Sequence, residues 1–115
     1  IEKYNKKETR PEKSVREILN KLNIEFKKEK YIDKTIRVDF IIGNKIIEVQ
    51  GDYYHANPEI YKNKNITKIQ ERNIINDIRK KKFFKENNYE LLEIWENEII
   101  HKHDSVVEKI KKYIL

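Results

Sequence analysis

Cysteine is absent from this 115-residue chain, which excludes disulfides and thiolate-bound zinc. A reducing compartment is the expected setting. Long apolar runs are lacking as well: no stretch approaches the roughly 18 residues of a membrane span, and no secretory signal opens the chain, so no membrane partner is expected. Methionine is missing even from the first position, from which we expect a fragment of a longer protein. Internal repeats and low-complexity segments are not found. Charge is what the chain has in abundance: 26 Lys+Arg against 20 Asp+Glu give a formal net charge of +6. That balance favours a polyanionic partner without naming it. An AT-rich genome also enriches Ile, Lys and Asn, so the lysine count alone decides nothing. The length suits one domain, large enough to bury roughly two thirds of its unfolded surface.

The most informative stretch runs from Thr35 to His55, TIRVDFIIGNKIIEVQGDYYH. Two β-branched runs, Ile36 to Ile42 and Lys45 to Gln50, flank Gly43-Asn44, a pair that tolerates the positive φ of a tight turn, and the spacing predicts a hairpin. With a two-residue loop Ile42 faces Lys45, Asp39 faces Glu48 and Arg37 faces Gln50. Alternation then places Asp39, Ile41, Ile46, Glu48 and Gln50 on one face, and Val38, Phe40, Ile47 and Val49 on the other, which is core. Two carboxylates directly opposed in an apolar strand pair repel one another and call for a cation. Mg²⁺ is one such cation, since it takes oxygen ligands and completes its shell with water and phosphate. An edge position, with Asp39 paired to Arg37 or a lysine and Glu48 solvated, is the alternative.

Around the hairpin, residues 1–8 read as a linker or frayed terminus and 9–115 as the domain. Thr9-Arg10-Pro11-Glu12 is a capping-box signature, and Val15, Ile18, Leu19 and Leu22 form a helical stripe behind it, predicting a helix over Arg10 to Leu22. Glu12 thereby has a complete structural explanation, with a site role as the alternative. Ile24 to Tyr31 suits a charged edge strand. Gly51 to Asn65 is a loop. Ile66 to about Asn87 predicts a helix with Ile66, Ile69, Ile74, Ile75, Ile78 and Phe84 as its buried stripe and Asn87-Asn88 as a left-handed stop. Its run Arg79-Lys80-Lys81-Lys82 is either solvated or phosphate-binding. Tyr89 to Trp95 is a strand with both faces covered, and Asp104 or Ser105 caps a last helix. The order α-β-β-β-α-β-α predicts an α/β (α+β) fold, a small mixed sheet flanked by helices.

Taken together, TRPEKSV, RVDF, IIEVQGDYYH, a basic helix containing Asp77, and NYELLEIWENEI resemble the Vsr-like branch of the PD-(D/E)XK nuclease superfamily. That branch includes very short patch repair endonucleases, small bacterial nuclease-like domains and the catalytic domains of some phage homing endonucleases. The resemblance spans Thr9 to Leu115 and implies a restriction-endonuclease-like core. It implies that Asp39 and Glu48 are metal ligands, that Val49 offers a backbone carbonyl, and that Glu12, Gln50, His55 and Asp77 complete the catalytic set. Two departures stand out. Gln50 occupies the place of the superfamily's usual lysine, which shifts the work of orienting water toward His55. Asp52 occupies the place of a zinc-binding cysteine of the repair enzymes, so no structural zinc is expected.

The resemblance thus implies Mg²⁺-dependent hydrolysis of phosphodiester bonds in double-stranded DNA, with Mn²⁺ as a substitute ion. An imidazole changes charge near neutral pH, so His55 can accept a proton from water; a surface-loop histidine is the alternative. Asp77 either orients that imidazole or pairs with Lys81 one turn on. Tyr53 and Tyr54 either contact bases or pack on the sheet end. Arg72, Arg79, Lys80 and Lys81 are the expected phosphate contacts. His101 and His103 read as solvent-facing. No recognition helix is evident, so specificity is expected from a missing region of the longer protein or from a homodimer. A catalytically silent nuclease fold that only binds nucleic acid is the competing reading.

Overall fold

The structure, a computed structural model, describes residues 7–115; residues 1–6, most of the expected linker, lie outside the described residues. Helix α1 (Arg10–Lys21) begins as its capping box dictates: the Glu12 amide donates to Thr9 Oγ1 at 3.2 Å and the Thr9 amide to Glu12 Oε1 at 2.9 Å. Val15, Ile18 and Leu19 are buried along one stripe. Asn23 (φ 58) ends the helix, with the Ile24 amide reaching back to the Leu19 carbonyl. Just ahead of α1, Glu8 takes Arg16 in a forked pair (2.7 and 3.1 Å) and Lys28 at 3.0 Å, joining helix to sheet. The Arg16 guanidinium, with Lys28 beside it, holds the Glu8 carboxyl down to about 2.

The sheet has the order β1 (Lys27–Tyr31), β2 (Arg37–Ile42), β3 (Lys45–Gln50), β4 (Glu90–Trp95). The first three strands are antiparallel neighbours, and β4 lies parallel to β3. A parallel neighbour requires a crossover. Two helices occupy it, the short α2 (Pro58–Tyr61) and the long α3 (Lys68–Glu86). After β4 come α4 (Glu96–His101) and α5 (His103–Ile114). The expected order is present, with α2 and α4 added. Ile42 pairs with Lys45 as the two-residue loop requires, and Gly43 supplies the positive φ (62°). Asn88 (φ 62) provides the left-handed stop after α3. Among the described residues, no helix is long and apolar enough to cross a membrane.

Each sheet face has its own core. One gathers Val15, Ile18, Leu19, Phe40, Ile47, Val49, Ile94, Val106 and Ile110, between the sheet and α1, α4 and α5. The other is smaller: Ile36, Val38, Ile46 and Phe84, beneath α3. Two expectations of simple alternation are thereby corrected: Val38 does not share a face with Phe40, and Asp39 does not share one with Glu48 but opens to the α1 side beside Glu12. The regular ladder of β2 with β3 stops at Phe40 and Ile47, and on the other side Glu29, between the partners of Phe40 and Val38, has φ 53. The strand is twisted out of regular pleating at Asp39, and its side chains change sides there.

Candidate active site

Helix α3 carries its polarity reversed. Ile66, Ile69, Ile75 and Ile78, expected on the buried stripe, are exposed and Ile74 is half-buried; Phe84 is buried as expected, together with Gln70. The inward row is Gln70, Asn73, Asp77, Lys80 and Phe84, which repeats at helical spacing but is polar in four of its five members. Each polar member holds something. Gln70 donates to the Tyr53 carbonyl at 2.6 Å and Asn73 to the Tyr54 carbonyl at 2.8 Å. Asp77 Oδ2 lies 2.7 Å from His55 Nδ1. Lys80 Nζ is paired with Glu48 Oε1, the two side chains 15% and 8% exposed. Lys81, beside that row, pairs with Glu93 at 3.3 Å. A helix that turns isoleucines outward in order to face amides and charges inward violates the usual burial preference, and such violations concentrate at functional sites.

Opposite Lys80 the strands β2 and β3 part. At this fork the carboxylates replace the missing ladder: the Asp39 amide donates to Glu48 Oε2 and the Val49 amide to Asp39 Oδ2, both at 2.8 Å. The two acids are cross-braced through backbone amides. Asp39 opens onto a recess shared with Glu8, Glu12, Lys28 and Glu29 on the α1 side. Glu48 opens onto another, shared with Gln50, Asp77, Lys80 and Glu93 on the α3 side. Gln50 is held through Nε2 by Glu93 Oε2 at 3.2 Å. Arg37, a possible partner for Asp39, is instead 2.8 Å from Glu29.

The loop bearing His55 is wound tightly. The His55, Ala56 and Asn57 amides donate back to Gly51, Tyr53 and Asp52 carbonyls, and Ala56 has φ 49, an uncommon conformation for a residue with a Cβ. Asp52 anchors it: Oδ1 accepts from Asn57 Nδ2 (2.9 Å) and from the Asn97 amide (3.3 Å), while its own amide donates to Glu96. The Asp77 carboxylate accepts from Nδ1–H, leaving Nε2 as the nitrogen able to take up a proton. Asp77 makes this bond rather than the Lys81 pairing.

The fold thus brings Glu48, Gln50, His55 and Asp77 onto the α3 side of the fork and Glu12 and Asp39 onto the α1 side. Among the described residues, no group of three or more His, Asp or Glu converges to hold a metal ion. The donor chemistry at the fork nevertheless suits a hard divalent cation, because carboxylates, Asp39 and Glu48, flank it on its two sides. The Lys80 ammonium marks where positive charge is accommodated against Glu48. Of the expected phosphate contacts, Arg72 is exposed, Arg79 spends its guanidinium on Thr35 and Asn76, Lys80 is committed to Glu48, and Lys81 leans on Glu93. Tyr53 and Tyr54 are exposed and edge-stacked, with centroids 5.2 Å apart, and Tyr53 reaches Tyr61 at 6.4 Å. Sequence reading passed over Glu93, Gln70 and Asn73; the 3-4-3 spacing of polar residues from Gln70 to Lys80 was the signal for the helix members.

Comparison with protein-family models gives no match, and comparison with curated proteins gives none. Among solved structures, the chain is similar to one described as the catalytic domain of the homing endonuclease I-Bth0305I. The two share 26% sequence identity with a TM-score of 0.67, over 91% of this chain and 93% of that chain. The likeness spans both chains nearly end to end, and the fold is that of a nuclease domain.

Proposed function

We propose that this chain is a divalent-cation-dependent endodeoxyribonuclease of the Vsr-like PD-(D/E)XK type, hydrolysing phosphodiester bonds in double-stranded DNA. One observation carries the reading: a loop histidine and a helix aspartate, 22 residues apart in sequence, meet at 2.7 Å on the side of the fork that bears Glu48. Similarity to a homing endonuclease catalytic domain supports both the reaction class and DNA as the substrate.

His55 Nε2 takes the proton of the attacking water as its oxygen bonds to phosphorus and the opposite P–O bond breaks. Asp77 positions the imidazole and stabilises its protonated form. Gln50, fixed by Glu93, retains an amide oxygen that accepts from the same water. Mg²⁺ or Mn²⁺, held by Asp39, Glu48 and the Val49 carbonyl, would polarise a phosphate oxygen and offset the charge gathering on it. Lys80 neutralises Glu48, and its ammonium would be available to phosphate were Glu48 to hold an ion instead. Glu12 supports Asp39 from the α1 side. Tyr53, Tyr54 and Arg72 contact the duplex.

A plasmid-nicking assay tests this. Cleavage is expected with Mg²⁺, none with EDTA, and a loss of at least about a hundredfold in Asp39→Ala and His55→Ala. A second reading, a silent nuclease fold that binds nucleic acid, is favoured by Lys80 on Glu48 and by Gln50 in place of lysine. Intact plasmid alongside a gel shift by the wild-type protein would select it.

A further inference from the structure

The inward row of α3 is explained by the site it builds; its outward row is not. Ile75 and Ile78 are each 62% exposed, beyond what the small core beneath α3 asks of that helix. Glu71, Ile75, Ile78 and Lys82 succeed one another at the 4-3-4 spacing of a coiled-coil seam, on the side of the helix away from Asp77. This seam is self-complementary when reversed. Let two copies lie antiparallel, α3 on α3, about a two-fold axis between Asn76 and Asp77. Ile75 then meets the partner's Ile78, and Glu71 meets the partner's Lys82, each contact occurring twice as an isologous interface demands.

We infer that this face is a self-association surface, with Ile75 and Ile78 at its centre and Glu71–Lys82 pairs closing it on either side. Charge argues for a second copy over nucleic acid: Glu71 repels phosphate yet is matched by a lysine of the partner. The surface is small, the partner's Lys85 faces Lys68 at each end, and each copy carries a net charge of +6, so the association is weak and concentration-dependent. The inference stands apart from the nuclease reading, since none of the four residues belongs to the fork or the His55–Asp77 pair.

Sedimentation velocity on the whole chain, from about 10 µM to about 1 mM as suits a small interface, tests it. Wild-type protein is expected to shift from the mass of one chain toward that of two. Ile78→Asp abolishes the shift, Glu71→Lys weakens association at least about tenfold, and Lys82→Glu in the same chain restores it. These side chains lie outside the core, and circular dichroism checks that each variant is folded. The proposal is overturned by a monomer at every concentration, by unchanged association in Ile78→Asp, or by a double variant no stronger than Glu71→Lys alone. A monomer whose affinity for duplex DNA falls with Ile78→Asp assigns the face to nucleic acid and equally overturns it.

Discussion

Replacing Lys80 with methionine removes the cation that Glu48 faces while keeping a side chain of similar length. Removing one partner of a buried ion pair costs about 3–5 kcal/mol. Here the lower end applies, because both side chains retain some exposure and the Asp39 amide still donates to Glu48 Oε2. About 3 kcal/mol lowers Tm by about 10 °C in a domain of this size. The more specific expectation concerns Mg²⁺. In the wild type an incoming ion must displace the ammonium, whereas in Lys80→Met it meets an uncompensated carboxylate, so its binding stabilises the variant more. Thermal denaturation followed by circular dichroism, with and without about 10 mM Mg²⁺, measures both effects. The variant should melt lower without the ion and recover several degrees more than the wild type with it. Equal melting temperatures without Mg²⁺, or equal gains with it, would refute the competition between Lys80 and the ion.

Three further outcomes are expected. Asp77→Asn leaves the backbone in place but deprives the imidazole of its charged partner, so kcat should fall about 10²–10⁴-fold with little change in KM; an unchanged kcat, or a loss carried by KM alone, contradicts the positioning role. Gln70→Ala removes both the bond to the Tyr53 carbonyl and one arm of the α3 capping box, and should cost about 2 kcal/mol in urea unfolding. Glu8 is held down to about 2 by Arg16 and Lys28, so its contribution, about 1 kcal/mol once solvent screening is allowed for, is complete above the ordinary carboxyl value and is lost as pH falls from about 4.5 toward about 2. The stability gap between wild type and Glu8→Gln should close over that window, and a pH-independent gap counts against the pairing.

Helix α1 and the hairpin were legible in sequence because independent local signals agreed: the capping box with the apolar stripe, and Gly43-Asn44 with two β-branched runs. Helix α3 was legible in extent, through its apolar repeat and the Asn87-Asn88 stop, but not in orientation. Periodicity finds apolar positions, and in α3 Ile69, Ile75 and Ile78 face out because the inner row is given to amides and charges. For the same reason Lys80 read as one of several phosphate contacts, since only the phase of the helix tells which lysine of the run turns inward. Glu93 was hidden between Leu92 and Ile94 on a strand, where a lone acid normally reads as solvated. The face change at Asp39 had no local signal, because it coincides with a positive φ at Glu29 on the neighbouring strand, distant in sequence. Helix α4 was missed because its cap is Trp95, whose amide donates to Glu98 at 3.1 Å, and no polar cap side chain announces it.

The central claim is that the parting of β2 and β3 is where a divalent ion is held beside His55. Crystals soaked in Mn²⁺ and examined by anomalous scattering address it directly. The account expects one strong peak at the fork, within coordination distance of Asp39 and Glu48, with Lys80 moved off Glu48. No peak there at saturating Mn²⁺, or a peak elsewhere with the Lys80–Glu48 pair intact, would contradict it.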